Sequence, residues 1–558
     1  MARNILKSSL LSAILNMAFQ IFCRILTFAV NIFMIRTIGR DVLGIINVRL
    51  LLLESTVIFL SREAINRAAL SVSSTKQLQK CSWAQLINQQ WLTLPICLCI
   101  SLVCVQLWLH VMLPVEDIAY RQQYHFACYV VALSCLLEFC AEAPCFVSQV
   151  FCFVKLKVVI STLQILVRSS VFLFLVLGLN ESKAIKYFAY AQLASTATIF
   201  VGYYGFYNYY IRCLKKFKQE HKRNEELTKW DANMYGSMDD FPFQSVVDFL
   251  PCVMLKKKEE ILNKELVKFT MSFAKQTFVK QILTEGEKYV MSLTPGLSFS
   301  EQATYDIVNN LGSLAARFIF RPIEDSSYFY FTQTIARDVQ LKDQDKKKIS
   351  EAARLLENLL LAITSIGLLA TMFGQNYSHS VLYLYGGPNF VADNLPEKLL
   401  RCHCIAIYFL AINGITEGYM FATNTSKQID KYNYVMGIFS IIFIVMSFVL
   451  TRIFGPVGFI IANCVNMLCR ICSSCKYIWQ QYRPLDYRPL KGLIPGKVFS
   501  IGLIITYIVC YYTKNNISFK LHLGTGVISA IFVLLLWIFE NQNLAKQVWL
   551  YKRKVKTK

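Results

Sequence analysis

Apolar runs of about twenty residues recur along the whole chain, near 9–35, 42–66, 90–113, 121–151, 158–179, 185–210, 267–294, 302–334, 354–375, 400–422, 432–451, 455–476, 497–513 and 522–540. A helix needs about twenty such residues to cross a bilayer, and in hydrocarbon only a helix or a closed barrel satisfies its own backbone. The pattern therefore predicts an all-α polytopic membrane protein with about fourteen transmembrane helices. Polar residues within these runs are not scattered. Asp306, Asn310, Ser313, Arg317 and Arg321 lie three or four apart in YDIVNNLGSLAARFIFRP, a spacing that predicts one shared helix face. A guanidinium facing lipid costs at least ~3 kcal/mol, so this stripe is expected to line a water-filled cavity or a buried polar interface.

Other spans carry similar signals. In the first, Asn16, Gln20 and Arg24 recur every four residues, and in the second Asn47, Glu54 and Ser61 recur every seven with Arg62 beside them. The seventh contains Lys268, Lys275, Gln276, Lys280, Gln281, Glu285 and Lys288, too polar a set to face lipid along its whole length. The fourth places Glu138 and Glu142 one turn apart just before Pro144, which is expected to bend the helix. Two roles stand side by side for these charges. Glu54, Glu138, Glu142, Arg168 and Glu417 either serve transport or pair with cations to lock the bundle, and Arg317 and Arg321 have Glu324 and Asp325 within reach as partners. Ser298 and Glu301 read as a capping box that starts the eighth helix.

Composition agrees with a membrane reading. Of 558 residues 55% are hydrophobic and only 17% charged, with a mean hydropathy of +0.42. The net charge of +23 does not point to nucleic acid, because the basic residues flank the spans and do not interleave with exposed aromatics. They concentrate in alternate loops, which by the positive-inside rule puts both termini in the cytosol. The first apolar run is too long for a cleavable signal and reads as the first span. Nineteen Cys lie mostly in apolar runs and read as small hydrophobes; Cys472 and Cys475 sit inside an apolar helix without the βαβ context of a redox motif, and the adjacent Cys402, His403 and Cys404 diverge by ~100° on a helix, which does not suit a shared metal. Glycosylation acceptors at Asn180, Asn376 and Asn516 are expected on the side opposite the basic loops, and Asn424 on the cytosolic side. Lys554 and Lys556 near the end match a dibasic retrieval pattern and equally an ordinary basic tail.

One long polar segment, 211–265, separates about six spans from about eight and is expected to be cytosolic and partly disordered. Shifted by 259 residues, FLSRE at 59–63 overlays FIFRP at 318–322, so that Arg62 corresponds to Arg321. An internal repeat of this kind is common in transporters whose substrate sits between two bundles. No phosphate-binding loop is present, since Gly492 to Lys497 is one residue too short, and no His, Cys or Ser forms a recognisable nucleophile and base pair. The chain is therefore expected to be no enzyme, with no cofactor and no metal.

The segments YDIVNNLGSLAARFIFRPIED, INVRLLLLESTVIFLSREA and KQILTEGEKYV closely resemble the eukaryotic Rft family of the endoplasmic reticulum, over nearly the whole chain. The resemblance implies a member of the multidrug, oligosaccharidyl-lipid and polysaccharide exporter superfamily, with two pseudo-symmetric six-helix bundles and two further C-terminal helices. Its domains would be an N-terminal bundle over 1–210, a cytosolic linker over 211–265, a C-terminal bundle over 266–476, and helices thirteen and fourteen with a basic tail over 477–558. The implied function is movement of a dolichol-linked pyrophosphate oligosaccharide from the cytosolic to the lumenal leaflet for N-glycosylation, with proteins of that pathway as partners. In related bacterial flippases, arginines on the first, second and eighth helices engage the pyrophosphate, which points here to Arg24, Arg62 and Arg321. Asn16, Gln20, Asn47, Glu54, Lys275, Asp306, Asn310, Ser313 and Arg317 would line the cavity, and Glu138 and Glu142 are candidates for ion coupling. Transport would proceed by rocking of one bundle against the other. The alternatives are a non-transporting scaffold or lipid chaperone of the same pathway, and an ion-coupled exporter of small amphiphiles.

Overall fold

The computed structural model describes residues 32–542 except 71–80, 113–114, 116–117, 152, 180, 222–240, 257–258, 295–296 and 338. Asn16, Gln20, Arg24, Asn180, Lys554 and Lys556 thus lie outside the described residues. Among those described there is no strand. Nine helices are long and apolar enough to span a membrane, and a bent pair makes a tenth. The sixth, seventh and eighth expected spans are also long helices, too polar to be recognised by hydropathy.

The chain divides into two compact units, Met1–Pro295 and Gly296–Lys558. In the first, the described helices are α1 (Arg40–Leu70), α2 (Trp83–Trp91), α3 (Thr93–His110), α4 (Ile118–Phe139), α5 (Glu142–Val150), α6 (Val154–Gly178), α7 (Ala184–His221) and α8 (Lys264–Leu293). Helix α1 packs on α3, α4 and α8, and α7 packs on α4 and α6. The fourth span bends as expected, by 48° between α4 and α5 at Cys140–Ala141, just ahead of Pro144. Starts are set by side chains. A Ser82–Gln85 capping box begins α2, and Asn263 accepts the Leu266 amide at the head of α8.

Helix α8 lies in the first unit. Its polar residues explain why. Tyr289 Oη lies 2.7 Å from Thr56 Oγ1 on α1, Gln281 donates to Tyr289 Oη at 3.1 Å, and Lys280 donates to Glu63 at 3.1 Å. Packing of this kind hides polar groups from lipid, which composition required without naming a partner.

The segment 211–265 is less loose than its composition suggests. Helix α7 continues to His221, and Phe241, Phe243 and Phe249 are buried among Tyr207, Tyr210, Phe146 and Ile87. Hydropathy averaged over the segment conceals this, because three aromatics are diluted by surrounding charges.

In the second unit, α9 (Phe299–Ala315) leads through a π-helical turn, Ala316–Phe320, into α10 (Arg321–Thr334); α11 (Lys346–Gly386), α12 (Leu395–Thr423), α13 (Ser426–Phe454), α14 (Val457–Tyr482), α15 (Lys497–Asn516) and α16 (Phe519–Glu540) come after it. Ser298 and Glu301 form the expected cap, with the Glu301 amide donating to Ser298 Oγ at 3.2 Å. Gly455, at φ +63°, reverses the chain between α13 and α14, a conformation that costs most other residues energy. Helix α12 is central, packed by α9, α10, α11 and α14. Its Glu417 accepts from Arg470 Nε at 3.1 Å and Tyr432 Oη at 3.0 Å, tying α12, α13 and α14 together. Helix α11 runs past the expected span, so Asn376 is buried inside it and its amide donates to Met372 O. Burial closes Asn376 to modification in this fold, whereas Asn516 is exposed at the end of α15.

Gly312 on α9 leaves room for the His403 ring of α12, which a Cβ would strike. Gly312→Ala is expected to destabilise the second unit by about 1–3 kcal/mol through overpacking. His403→Ala in the same chain should recover most of the loss, read as thermal unfolding of purified protein in detergent.

Candidate functional site

Residues 51–63 of α1 present Glu54, Ser55, Ile58, Phe59, Arg62 and Glu63 on one face, the i, i+4, i+8 stripe of a helix. Together with Lys288 of α8 this face walls an open cavity of about 520 Å³. The seven-residue spacing Asn47, Glu54, Ser61 is not the exposed face. A π-helical stretch, Ile45–Leu50, resets the helix below Glu54, and Ser61 is buried with its hydroxyl on Val57 O at 2.7 Å. Lys275 is exposed but does not line this cavity, whereas Lys288, one of the seventh-span lysines not singled out from sequence, does.

Arg62 is the centre of the arrangement. Its Nη2 donates to Glu138 Oε1 and its Nε to Glu142 Oε2, each at 2.8 Å, and its guanidinium sits 5.1 Å from the Phe139 ring centroid. The two carboxylates are four residues apart in sequence, but the bend puts one at the end of α4 and the other in the first turn of α5, where the helix N-terminus also favours a negative charge. Glu138 and Glu142 are only 9% and 1% exposed, while Arg62 retains 27%. One oxygen of each carboxylate, Glu138 Oε2 and Glu142 Oε1, is buried with no hydrogen-bond partner. Two turns away, Glu54 accepts from Gln192 Nε2 at 2.8 Å, and Arg168 lies 3.7 Å from its other oxygen. Glu63 holds both Arg67, at 2.7 Å, and Lys280, at 3.1 Å. Lys288 pairs with Glu285 at 3.1 Å.

The acidic residues of the first unit therefore do pair with cations, and the cavity is walled by charges of both signs. Buried pairs hold helices in place only while both partners are present, since removing one strands the other. The chemistry on offer is hydrogen bonding through charged donors and acceptors, with an aromatic ring, Phe59, among them.

In the second unit the expected polar stripe is half kept. Asn310 donates to Asp306 at 3.1 Å and Ser313 Oγ to Asn310 O at 2.9 Å, so these three share a face as expected. Arg321 does not continue it. The π-helical turn at Ala316–Phe320 takes up an extra residue and rotates the helix beyond it by about 100°, leaving Arg321 exposed at the first position of α10. It forms no ion pair within 4 Å among the described residues, whereas the corresponding Arg62 is held by two carboxylates. Sequence reasoning named Glu417 as a charge that could pair with a cation, but neither its partner Arg470 nor the buried Arg49. A lone Arg in an apolar run was the available signal for both arginines.

Residues 8–551 match the family model described as "Rft protein". The chain is 57% identical over its full length, and that of the relative, to "Man(5)GlcNAc(2)-PP-dolichol translocation protein RFT1" of Drosophila melanogaster. It is 39% identical to the protein of that name in Xenopus tropicalis, over 89% of this chain and 86% of the other. Among solved structures, "Lipid II flippase MurJ, inward closed conformation" aligns with a TM-score of 0.60 at 11% identity, covering 95% of this chain and 100% of that one. An "Inward-facing conformation of a multidrug resistance MATE family transporter" aligns at 0.52, also at 11% identity, over 82% and 94%. The structural matches establish a multi-pass transporter fold.

Removing Arg62 should strand two buried carboxylates. Arg62→Ala is expected to lower stability by about 3–5 kcal/mol. Adding Glu138→Gln and Glu142→Gln to Arg62→Ala should restore most of it, read as thermal unfolding in detergent; no recovery would mean that Arg62 stabilises through packing on Phe139 and not through charge.

Proposed function

The chain belongs to the Rft protein family, and we propose that it carries a dolichol-linked pyrophosphate oligosaccharide, the Man(5)GlcNAc(2)-PP-dolichol of its relatives' names, across the endoplasmic reticulum membrane from cytosolic to lumenal leaflet. The translocated lipid then serves as a donor precursor for N-glycosylation. The observation that carries this reading is the charged cavity walled by Arg62, Lys288, Glu54 and Glu63 among helices of membrane-spanning length. A diphosphate bearing sugars has to cross ~30 Å of hydrocarbon, and fixed charged donors replace the water it loses. The polyprenyl tail stays in lipid and sets no demand on the cavity. Cavity carboxylates and Ser55 suit sugar hydroxyls, and the face of Phe59 suits a sugar ring.

Arg62 is the residue assigned to the pyrophosphate in this unit, and Arg24 and Arg321 are further pyrophosphate contacts of the proposal. The Nε and Nη2 of Arg62 are committed to Glu142 and Glu138, which leaves Nη1 for a phosphate oxygen. The three side chains carry a net single negative charge when both carboxylates are ionised. A proton or monovalent cation entering there would balance the pair, loosen its hold on Arg62 and free the planar fork for bidentate contact. Glu138 and Glu142 are in this way the coupling groups. No bond is made or broken in the substrate, so the protein is a carrier and not an enzyme. Asp306, Asn310, Ser313 and Arg317 are the polar contacts that the proposal assigns to the headgroup in the second unit. Both termini and 211–265 face the cytosol in this reading, which the distribution of Lys and Arg supports.

Purified protein in liposomes, supplied with a defined dolichol pyrophosphate oligosaccharide, should move it between leaflets faster than protein-free liposomes. Arg62→Lys keeps the charge but loses the fork, and Lys288→Ala and Arg321→Lys leave the buried triad intact. Each is expected to weaken substrate binding by about 1.5–3 kcal/mol, roughly ten- to a hundredfold. Wild-type affinity in all three well-folded variants would rule out the site, and no transfer by the wild type would rule out transport. A glycosylation acceptor inserted into 222–240 should stay unmodified in cells, and its efficient modification would overturn the orientation.

A further inference from the structure

The polar segment before α8 contains a feature that transport of a glycolipid does not require. Residues 241–256 and 259–263 form a strap bound to α2 by side chains of that helix. Trp91 Nε1 donates to Phe249 O at 2.7 Å, Asn88 accepts the Cys252 amide at 2.7 Å and donates to Ile261 O at 3.0 Å, and Gln85 donates to Glu260 O at 3.3 Å. On its inner side Phe241, Phe243 and Phe249 are buried. Its outer side is also apolar. Val247, Leu250 and Val253 are 53%, 40% and 48% exposed, and Ile261 is exposed beyond them.

The level of the strap is set by the helix it grips. Helices α2 and α3 together form one 28-residue span, Trp83–His110, roughly 42 Å at 1.5 Å per residue against ~30 Å of hydrocarbon. The excess lies at the α2 end, because α2 carries Gln85, Asn88, Gln89 and Gln90 while α3 is apolar nearly throughout. The hydrocarbon boundary therefore falls near Trp91, the residue bonded to Phe249. Val247, Leu250 and Val253 flank that point, with Trp91 at the height where indoles prefer to sit. Basic residues surround the same edge: Lys256 on the strap, Lys268 on α8, and Arg212, Lys215 and Lys216 near the end of α7 are all exposed. Nearby Glu260 is taken by Lys264 at 2.9 Å.

We propose that the strap is an interfacial membrane anchor, whose Val247, Leu250 and Val253 enter the headgroup boundary of the leaflet on the side of 211–265 while the surrounding Lys and Arg meet phospholipid phosphates. An apolar face rimmed by cations is the arrangement by which a segment lies in a membrane surface without crossing it. The anchor ties the head of α8 to α2 and to the bilayer, and it rests on the span lengths and not on the identity of the carried lipid.

The test is photocrosslinking in the full-length protein. p-Benzoylphenylalanine replaces Val247, Leu250 or Val253 one at a time, in vesicles of radiolabelled zwitterionic and anionic phospholipid. Exposed Ile531 on α16 serves as the lipid-facing control and exposed Asp486 as the aqueous control. Phospholipid adducts at the strap positions with a yield comparable to that at 531 and many times that at 486 are expected. Adducts to residues 222–240 of the same chain, adducts to another protein, or no adduct above that at 486 would each overturn the anchor. Three separate positions keep the result readable if one variant fails to accumulate.

Discussion

An ionised side chain in hydrocarbon has to find a counter-charge or water, and the described part of this protein is arranged around that requirement. Arg62 with Glu138 and Glu142, Arg168 with Glu54, and Arg470 with Glu417 each join different helices through a charge contact. Hydrophobic burial cannot select between helix pairings in a membrane, because lipid tails are as apolar as leucine. Polar contacts supply that selection. The assignment of α8 to the first unit is one instance, set by Thr56, Glu63, Lys280 and Tyr289 on otherwise interchangeable surfaces.

The same requirement links stability to the proposed transport. A guanidinium shared by two carboxylates is held firmly, yet two buried oxygens in that cluster lack partners. The cluster is therefore one proton or cation away from neutrality, and a small change there alters how tightly Arg62 is held. In the proposed mechanism, the cavity facing this group alternates between a closed internal network and one that engages an external anion. Arg321, at the matching place in the repeat, has no such restraint among the described residues, so the two arginines are not equivalent although the sequence pairs them.

Helix irregularity decides the finer points of the site. Two π-helical turns, Ile45–Leu50 and Ala316–Phe320, lie in the second span of each half and rotate the residues beyond them. They explain why period-seven and period-four stripes drawn through Asn47 and Arg321 do not describe the faces observed. Extra residues in a helical turn often accompany function, since they trade backbone regularity for side-chain direction.

The sequence by itself determined the membrane class, most helix positions, the bend before Pro144 and the cap at Ser298, because each depends on local composition or on contacts within one turn. It also identified Arg62, Glu54, Glu138 and Glu142 as charges in spans, since an ionised residue among twenty apolar ones is conspicuous whatever surrounds it. Only the tertiary structure decided that Arg62 is shared by both carboxylates, that Lys288 and Glu63 complete its cavity wall, that Asn376 is buried, and that Phe241, Phe243 and Phe249 turn a polar linker into a packed strap. Those outcomes depend on residues dozens to hundreds of positions apart meeting in space. Helical periodicity gives the face of a helix, but which helix that face meets, and where a π turn shifts it, is fixed by packing between elements.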